Sequence, residues 1–133
     1  MDILGTTVIT KVSSAETGGA YYVFHLLIPP SGGIPAHVHE NEDEIFCIIE
    51  GDLEITVDGS VVNCTKGDVQ NLPRGIVHGI KNTSNSESKS IVFITPGSSF
   101  EDFFSKLTLL SKGPDTDMGE VIKLSAEYGI KFV

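Results

Sequence analysis

Hydrophobic and polar residues alternate in short runs over most of the first three quarters of the chain. Each run is a few residues long, and prolines, glycines, aspartates and asparagines separate it from the next. Short strands with turn residues between them at this density are typical of an all-β sandwich or barrel. The predicted strands cover residues 21–28, 44–49, 53–57, 60–64, 77–81 and 90–95.

Residues 53–64 predict a hairpin with one buried face. Apolar residues at positions 53, 55 and 57 alternate with Glu54 and Thr56, which is the pattern of a half-buried strand. Asp58-Gly59 follows between two strand-like runs, and this dipeptide favours the two-residue turns that join antiparallel strands. We therefore expect Val57 and Ser60 to face each other across the turn.

After Pro96 the hydrophobic period changes from that of a strand to that of a helix. Apolar residues at positions 100, 103, 104, 107 and 110 share one helical face, and Ser98–Ser99 is a possible cap before two carboxylates that favour the helix dipole. A second helix is predicted from Asp117 to about residue 128, closed by Gly129. We expect these helices to form a lid or brace on the sandwich, with a dimer contact as the alternative.

Length and charge limit the organisation and the partners of the protein. A chain of 133 residues suffices for one domain with its own core. We expect a single domain over residues 1–133, with a barrel over about 1–96 and helices over about 98–129. The net charge is −9, from 18 acidic and 9 basic residues, and no basic cluster is present. This balance argues against nucleic acids and anionic membranes as partners.

The sequence carries no sign of export. The N-terminus lacks the positive start and apolar core of a signal peptide, and no apolar run is long enough to span a membrane. We therefore expect a cytoplasmic protein in which Cys47 and Cys64 are reduced thiols. Cys47 stands three residues after Glu44, so alternation places it on the opposite face of its strand from that glutamate.

The sequence His37-Val38-His39 is the first indication of a metal site. Side chains alternate along a strand, so the two imidazoles lie on the same face and can reach one ion. Imidazole-rich sites suit manganese, iron, cobalt, nickel, copper or zinc, and the ligands alone do not select among these metals.

The acidic stretch 40–44 offers a calcium loop as a rival interpretation, because hard cations prefer oxygen ligands. The stretch lacks the glycine and the alternating spacing of such a loop, which weakens this interpretation. We expect Glu40, Glu42 and Asp43 to lie in a solvated turn, with only Glu44 turned inward.

Two segments match the signature motifs of the cupin family. The first contains His37, His39, Glu44 and Gly51, and the second has the following residues at the family's spacing without insertion: Gly67, Pro73, Gly75, His78 and Asn82. The chain resembles the cupins on these residues, and the resemblance implies a double-stranded β-helix, which is a jelly-roll barrel. It also implies one divalent transition metal, held by the three motif histidines and Glu44 with open positions for catalysis.

The chain departs from the family pattern at one position. The first glycine of the first motif is expected where this chain has Ser31, which Gly32 and Gly33 follow. We expect the turn to be preserved one residue later.

A narrower resemblance is to the small single-domain cupins of the quercetin-dioxygenase type, carried by residues 28–30, 96–104 and 126–130. It implies dioxygen-dependent cleavage of a flavonol or a related hydroxylated aromatic ring, and a homodimer. Glu44 would be the catalytic residue, ligating the metal and accepting the substrate hydroxyl proton. Alternation from the ligands places Phe46, Ile48 and Ile80 in an apolar substrate pocket.

Other functions stay open, because the cupin barrel supports several reactions and also binding without turnover. One alternative is another metal-dependent enzyme, such as a sugar isomerase, which would need polar groups in its pocket. A second is a metal- or ligand-binding module without catalysis. The orientation of His25 is also open: it is either a hydrogen-bonded sheet residue or a residue of the substrate pocket.

Overall fold

The computed structural model describes all 133 residues and contains eleven strands and two α-helices. The strands are β1 (Asp2–Ile3), β2 (Thr6–Val12), β3 (Tyr22–Ile28), β4 (Gly33–His39), β5 (Asp43–Glu50), β6 (Leu53–Val57), β7 (Ser60–Cys64), β8 (Val69–Leu72), β9 (His78–Lys81), β10 (Ser88–Thr95) and β11 (Ile130–Phe132). The helices are α1 (Phe100–Leu110) and α2 (Met118–Glu127). The six predicted strands all form, with bounds that differ by at most two residues from those expected.

The strands form two antiparallel sheets that face each other. One sheet has the order β1-β2-β3-β10-β5-β8, and the other has the order β11-β4-β9-β6-β7. Strands that are distant in sequence lie side by side, as β3 and β10 do, so the chain crosses between the sheets as in a jelly roll. The all-β prediction is confirmed.

Alternation along the strands places the core between the sheets. On β5, Glu44, Phe46 and Ile48 are buried, whereas the residues between them are partly exposed. On β3 the even-numbered residues from Tyr22 to Ile28 are buried. His25 therefore belongs to the outer face of its sheet, where it is paired with Ile9 and Ile91 on the neighbouring strands.

Two turns show how local sequence sets the register. Asp58 and Gly59 have φ values of 50° and 82°, and Val57 faces Ser60 across them, which confirms the predicted hairpin. Ser31 has a φ of 66°, so the left-handed residue occupies the position of the family's glycine itself. The expected shift of this turn by one residue was wrong, because Ser31 takes up the strained conformation that glycine adopts without cost.

Both C-terminal helices form where the helical period predicts them. The apolar face of α1 is buried on the barrel, and the rings of Phe104 and Phe24 pack edge to face at 5.2 Å. The side chain of Ser99 makes no capping hydrogen bond, whereas Asp117 caps α2 by accepting from the N–H groups of Gly119 and Glu120. Neither helix is long and apolar enough to cross a membrane.

Candidate metal centre

Three histidines meet inside the barrel because two neighbouring strands present them from the same sheet. His37 and His39 lie two residues apart on β4, and His37 is paired directly with His78 on β9. All three side chains are buried. One ring nitrogen of each histidine lies within 4.8 Å of the corresponding nitrogens of the other two. This buried group could hold a metal ion.

Glu44 reaches the histidines from the opposite sheet. Its Oε2 atom lies 3.3 Å from Nε2 of His39 and 3.7 Å from Nε2 of His78. The Nε2 atoms of His37 and His39 are 3.1 Å apart. Glu44 therefore lies beside His39 and His78 between the sheets.

Some polar atoms at this point have no hydrogen-bond partner. Oε2 of Glu44 and Nε2 of His78 are buried and make no hydrogen bond. Buried polar groups are nearly always hydrogen-bonded, since an unpaired one loses its solvation without compensation. A cation would satisfy the unpaired carboxylate oxygen and the imidazole lone pairs together, so the residues fit a divalent metal.

Burial keeps two of the imidazoles neutral. Burial and the charge of His39 lower the pKa of His37 to about 4, although its hydrogen bond to the Pro35 carbonyl opposes the shift. Burial, together with the charges of His37 and His39, lowers the pKa of His78 to about 3. Neutral imidazoles have a free lone pair, which metal ligation requires.

The pKa values of His39 and Glu44 are both raised, for different reasons. Burial alone would lower the pKa of His39, but the hydrogen bond to Glu42 and the charges of Glu44 and Glu42 outweigh it and raise the pKa. Burial raises the pKa of Glu44, an effect that His39 opposes and Glu42 reinforces. A carboxylate with a raised pKa is a stronger proton acceptor than an exposed one.

Glu42 does not lie in a solvated turn, contrary to the sequence prediction. Its exposed fraction is 3%, and its Oε1 atom accepts a hydrogen bond from Nδ1 of His39 at 3.3 Å. Glu40, by contrast, is exposed and pairs with Lys131. The period of the strand did not reveal Glu42 because the residue precedes β5, where alternation does not apply.

A crevice opens beside the histidines, between the barrel and α1. It has about 50 Å³ of free volume, and the lining residues besides Glu44, His37 and His39 are all apolar: Ile3, Leu4, Val8, Phe24, Leu26, Ile34, Phe100, Phe103, Phe104, Leu107, Ile130 and Phe132. Phe100 stacks on His39 with 5.5 Å between ring centroids. The aromatic stripe of α1 therefore borders the site as well as the core, which its helical spacing alone did not indicate.

The apolar wall of the crevice differs from the predicted one. Phe46, Ile48 and Ile80 point inward as alternation requires, but they lie in the packed core and do not line the crevice. Ile80, for example, is paired with Ile34 on one side and Ile55 on the other. Beside the histidines, the crevice lies where α1 docks, and strand alternation carries no information about that position.

His25 and the cysteines lie outside the site. His25 is on the outer face of the sheet, so it does not contribute to the crevice. Cys47 lies on the same outer face, paired with Ile91, and Cys64 is buried at the end of β7. Both cysteines are free thiols, as expected.

Comparison with known proteins agrees with the fold and with the histidine cluster. Residues 24–95, which are more than half of the chain, match the family model described as Cupin domain. This segment contains all three buried histidines and Glu44. The chain therefore belongs to the cupin family.

Individual relatives differ in the activity that their names state. Quercetin 2,3-dioxygenase of Bacillus subtilis is 30% identical over 62% of this chain and 25% of that protein. A probable germin-like protein of Arabidopsis thaliana is 40% identical over 43% of this chain and 29% of that protein. The chain thus spans less than a third of these two relatives. A solved structure, a predicted oxalate decarboxylase from Thermotoga maritima, has a TM-score of 0.64 and 27% identity, over 68% of this chain and 80% of that chain.

Proposed function

We propose that this chain is a metal-dependent cupin dioxygenase that cleaves a flavonol of the quercetin type or a related hydroxylated aromatic ring. One observation carries the proposal: His37 and His39 of the buried histidine cluster, together with Glu44, border a crevice whose other walls are apolar and rich in phenylalanine. Flat aromatic rings pack well against such walls. The similarity to quercetin 2,3-dioxygenase supports the same class of substrate.

The crevice lacks cationic side chains, which argues against substrates that such side chains would bind, for example sugar phosphates. No lysine or arginine lines it, and Glu44 is its only acidic residue. Away from the proposed metal, a phosphate or carboxylate group would lose its hydration there without gaining a cationic side chain in return. A sugar isomerase would in addition need several polar side chains to hold hydroxyl groups, and the crevice offers apolar ones.

Each residue of the site has a distinct role in the proposed reaction. His37, His39 and His78 would hold a divalent transition metal, with Glu44 as the fourth ligand. When bound, the metal would supply Lewis-acid and redox chemistry towards a substrate with adjacent hydroxyl and carbonyl oxygens. Glu44, which is buried, would accept the hydroxyl proton at a carboxylate oxygen. The phenylalanines of α1 would exclude water from the reacting ring.

The size of the crevice favours a second candidate, a metal-binding cupin without turnover. A free volume of about 50 Å³ accommodates a few water molecules, whereas pockets for drug-sized ligands have roughly 300–1,000 Å³. A flavonol can enter only if α1 moves away from the barrel. The dioxygenase proposal therefore requires such a displacement, and the second candidate does not.

Oxygen uptake with a flavonol tests the proposal. The protein is loaded in turn with manganese, iron, cobalt, nickel or copper, its metal content is measured, and it is incubated with quercetin in air. We expect oxygen consumption to parallel the loss of flavonol absorbance, and the His78→Ala variant to show neither. Retention of metal with no uptake for any of the five ions would favour the second candidate.

The homodimer that the resemblance implies and the cytoplasmic location expected from the N-terminal sequence stay predictions. Light scattering on the purified protein tests the first of these. A mass of twice the 14.2 kDa of one chain would support a dimer, and a mass of 14.2 kDa would exclude it at the concentration used.

A further inference from the structure

The acidic turn before β5 contains one buried carboxylate, that of Glu42, which is not among the proposed metal ligands. Glu40 is exposed and pairs with Nζ of Lys131 at 2.6 Å, and Asp43 pairs with Arg74 at 3.1 Å. Glu42 lies between them in sequence, yet it is buried and faces no lysine or arginine in an ion pair. A buried carboxylate is costly unless it is hydrogen-bonded or paired, so its placement requires a compensating contact.

That contact is with a candidate metal ligand. The only side-chain hydrogen bond of Glu42 joins its Oε1 atom to Nδ1 of His39 at 3.3 Å. A carboxylate oxygen accepts and a ring N–H donates, so Nδ1 of His39 is the donor of this hydrogen bond. The ring of neutral His39 then carries its lone pair on Nε2, the nitrogen that lies 3.1 Å from Nε2 of His37 and 3.3 Å from Oε2 of Glu44. Glu42 thus orients the lone pair towards the centre of the site.

The three imidazoles differ in what supports the nitrogen away from the centre. Nδ1 of His37 contacts the carbonyl oxygen of Pro35 at 2.7 Å. Burial lowers the pKa of His78, and hydrogen bonding to the backbone of Ile76 opposes this shift. Only His39 has a carboxylate at this position. A carboxylate partner fixes the tautomer and increases the basicity of a ligating imidazole more than a carbonyl does, since it carries a full negative charge.

We infer that Glu42 is a positioning residue that holds His39 in the Nδ1–H tautomer and makes it the strongest imidazole ligand of the metal site. The inference rests on the proposal that the site binds a divalent metal. Glu42 and Glu44 place two carboxyl groups beside the three imidazoles inside the barrel.

Metal affinity and the tautomer of His39 test this role separately. Affinities for Zn²⁺ and Co²⁺ are measured by chelator competition for the wild type, Glu42→Gln, Glu42→Ala and a control, Glu40→Gln, which removes an exposed charge from the same turn. We expect both Glu42 variants to bind 10–100-fold more weakly and the control to stay within about threefold. Nitrogen-15 spectra of the metal-free proteins should show the Nδ1–H form of His39 in the wild type and its partial loss in Glu42→Ala.

The two measurements distinguish the failure of this inference from the failure of the proposed function. Wild-type protein that binds neither metal would overturn the metal site, and the inference with it. If the wild type binds metal tightly, affinities of Glu42→Gln and Glu42→Ala equal to that of the wild type, together with an unchanged His39 tautomer, would overturn the positioning role. The metal site would then stay intact. Glu42→Gln has nearly the same shape as the wild-type side chain, so a result from this folded variant decides the matter even if Glu42→Ala fails to fold.

Discussion

Replacing Phe104 with alanine tests whether α1 is an integral part of the fold. Phe104 keeps only 7% of its exposed area, and its ring packs edge to face against Phe24 at 5.2 Å and Phe100 at 4.8 Å. Truncating a buried phenylalanine costs about 3–5 kcal/mol of unfolding free energy. Because Phe104 also borders the crevice, part of its ring faces free space, and we expect the lower part of this range, about 3–4 kcal/mol.

Urea unfolding followed by circular dichroism measures this loss. For a slope of about 1–3 kcal/mol per molar urea, the midpoint should fall by about 1–4 M. Leu109→Ala is the matched control, because Leu109 lies on the same helix with an exposed fraction of 73%. The control should change the unfolding free energy by no more than about 0.5 kcal/mol.

A small effect would refute the packing argument. If Phe104→Ala lost less than about 1 kcal/mol, with an unchanged slope, the burial of α1 on the barrel would contribute little to stability. The helix would then be a weakly held lid that opens at low cost. That outcome would also remove the main obstacle to the entry of a flavonol, so the experiment bears on function as well as on the fold.

Three further predictions concern the site and one turn. Alanine at any one of the three clustered histidines should remove most of the bound metal, while the circular dichroism spectrum stays that of the folded barrel. An open catalytic site contributes less to folding than a structural one. Full metal content in two of the three variants would contradict the ligand set. Glu44→Gln should keep a substantial part of the metal and lose turnover, because an amide does not accept the proton; wild-type oxygen uptake by this variant would exclude the base role. Ser31→Gly should raise the unfolding free energy, measured in urea, by about 0.5–1 kcal/mol, because glycine relieves the strain of the left-handed conformation. Ser86 has no positive φ, so the control Ser86→Gly should not stabilise the protein.

Much of the candidate metal centre could be predicted because it depends on short-range geometry. His37 and His39 share a face for the same reason that Leu53 and Ile55 do, namely that side chains alternate along a strand. The hairpin at Asp58-Gly59 is equally local, since both residues adopt positive φ values at little cost. The meeting of His78 with His37 depended on the family motifs, because β4 and β9 are far apart in sequence.

The sequence by itself determined which residues of each strand share a face, where the helices begin and end, and which residue types suit a transition metal. The tertiary structure decided which face of β3 turns outward with His25, how deep Phe46, Ile48 and Ile80 lie in the core, and where α1 leaves a crevice beside the histidines. It also decided that Glu42 is buried against His39. The physical reason is that local periodicity specifies direction relative to the backbone, whereas burial and neighbours depend on contacts between segments distant in sequence, which no local pattern encodes.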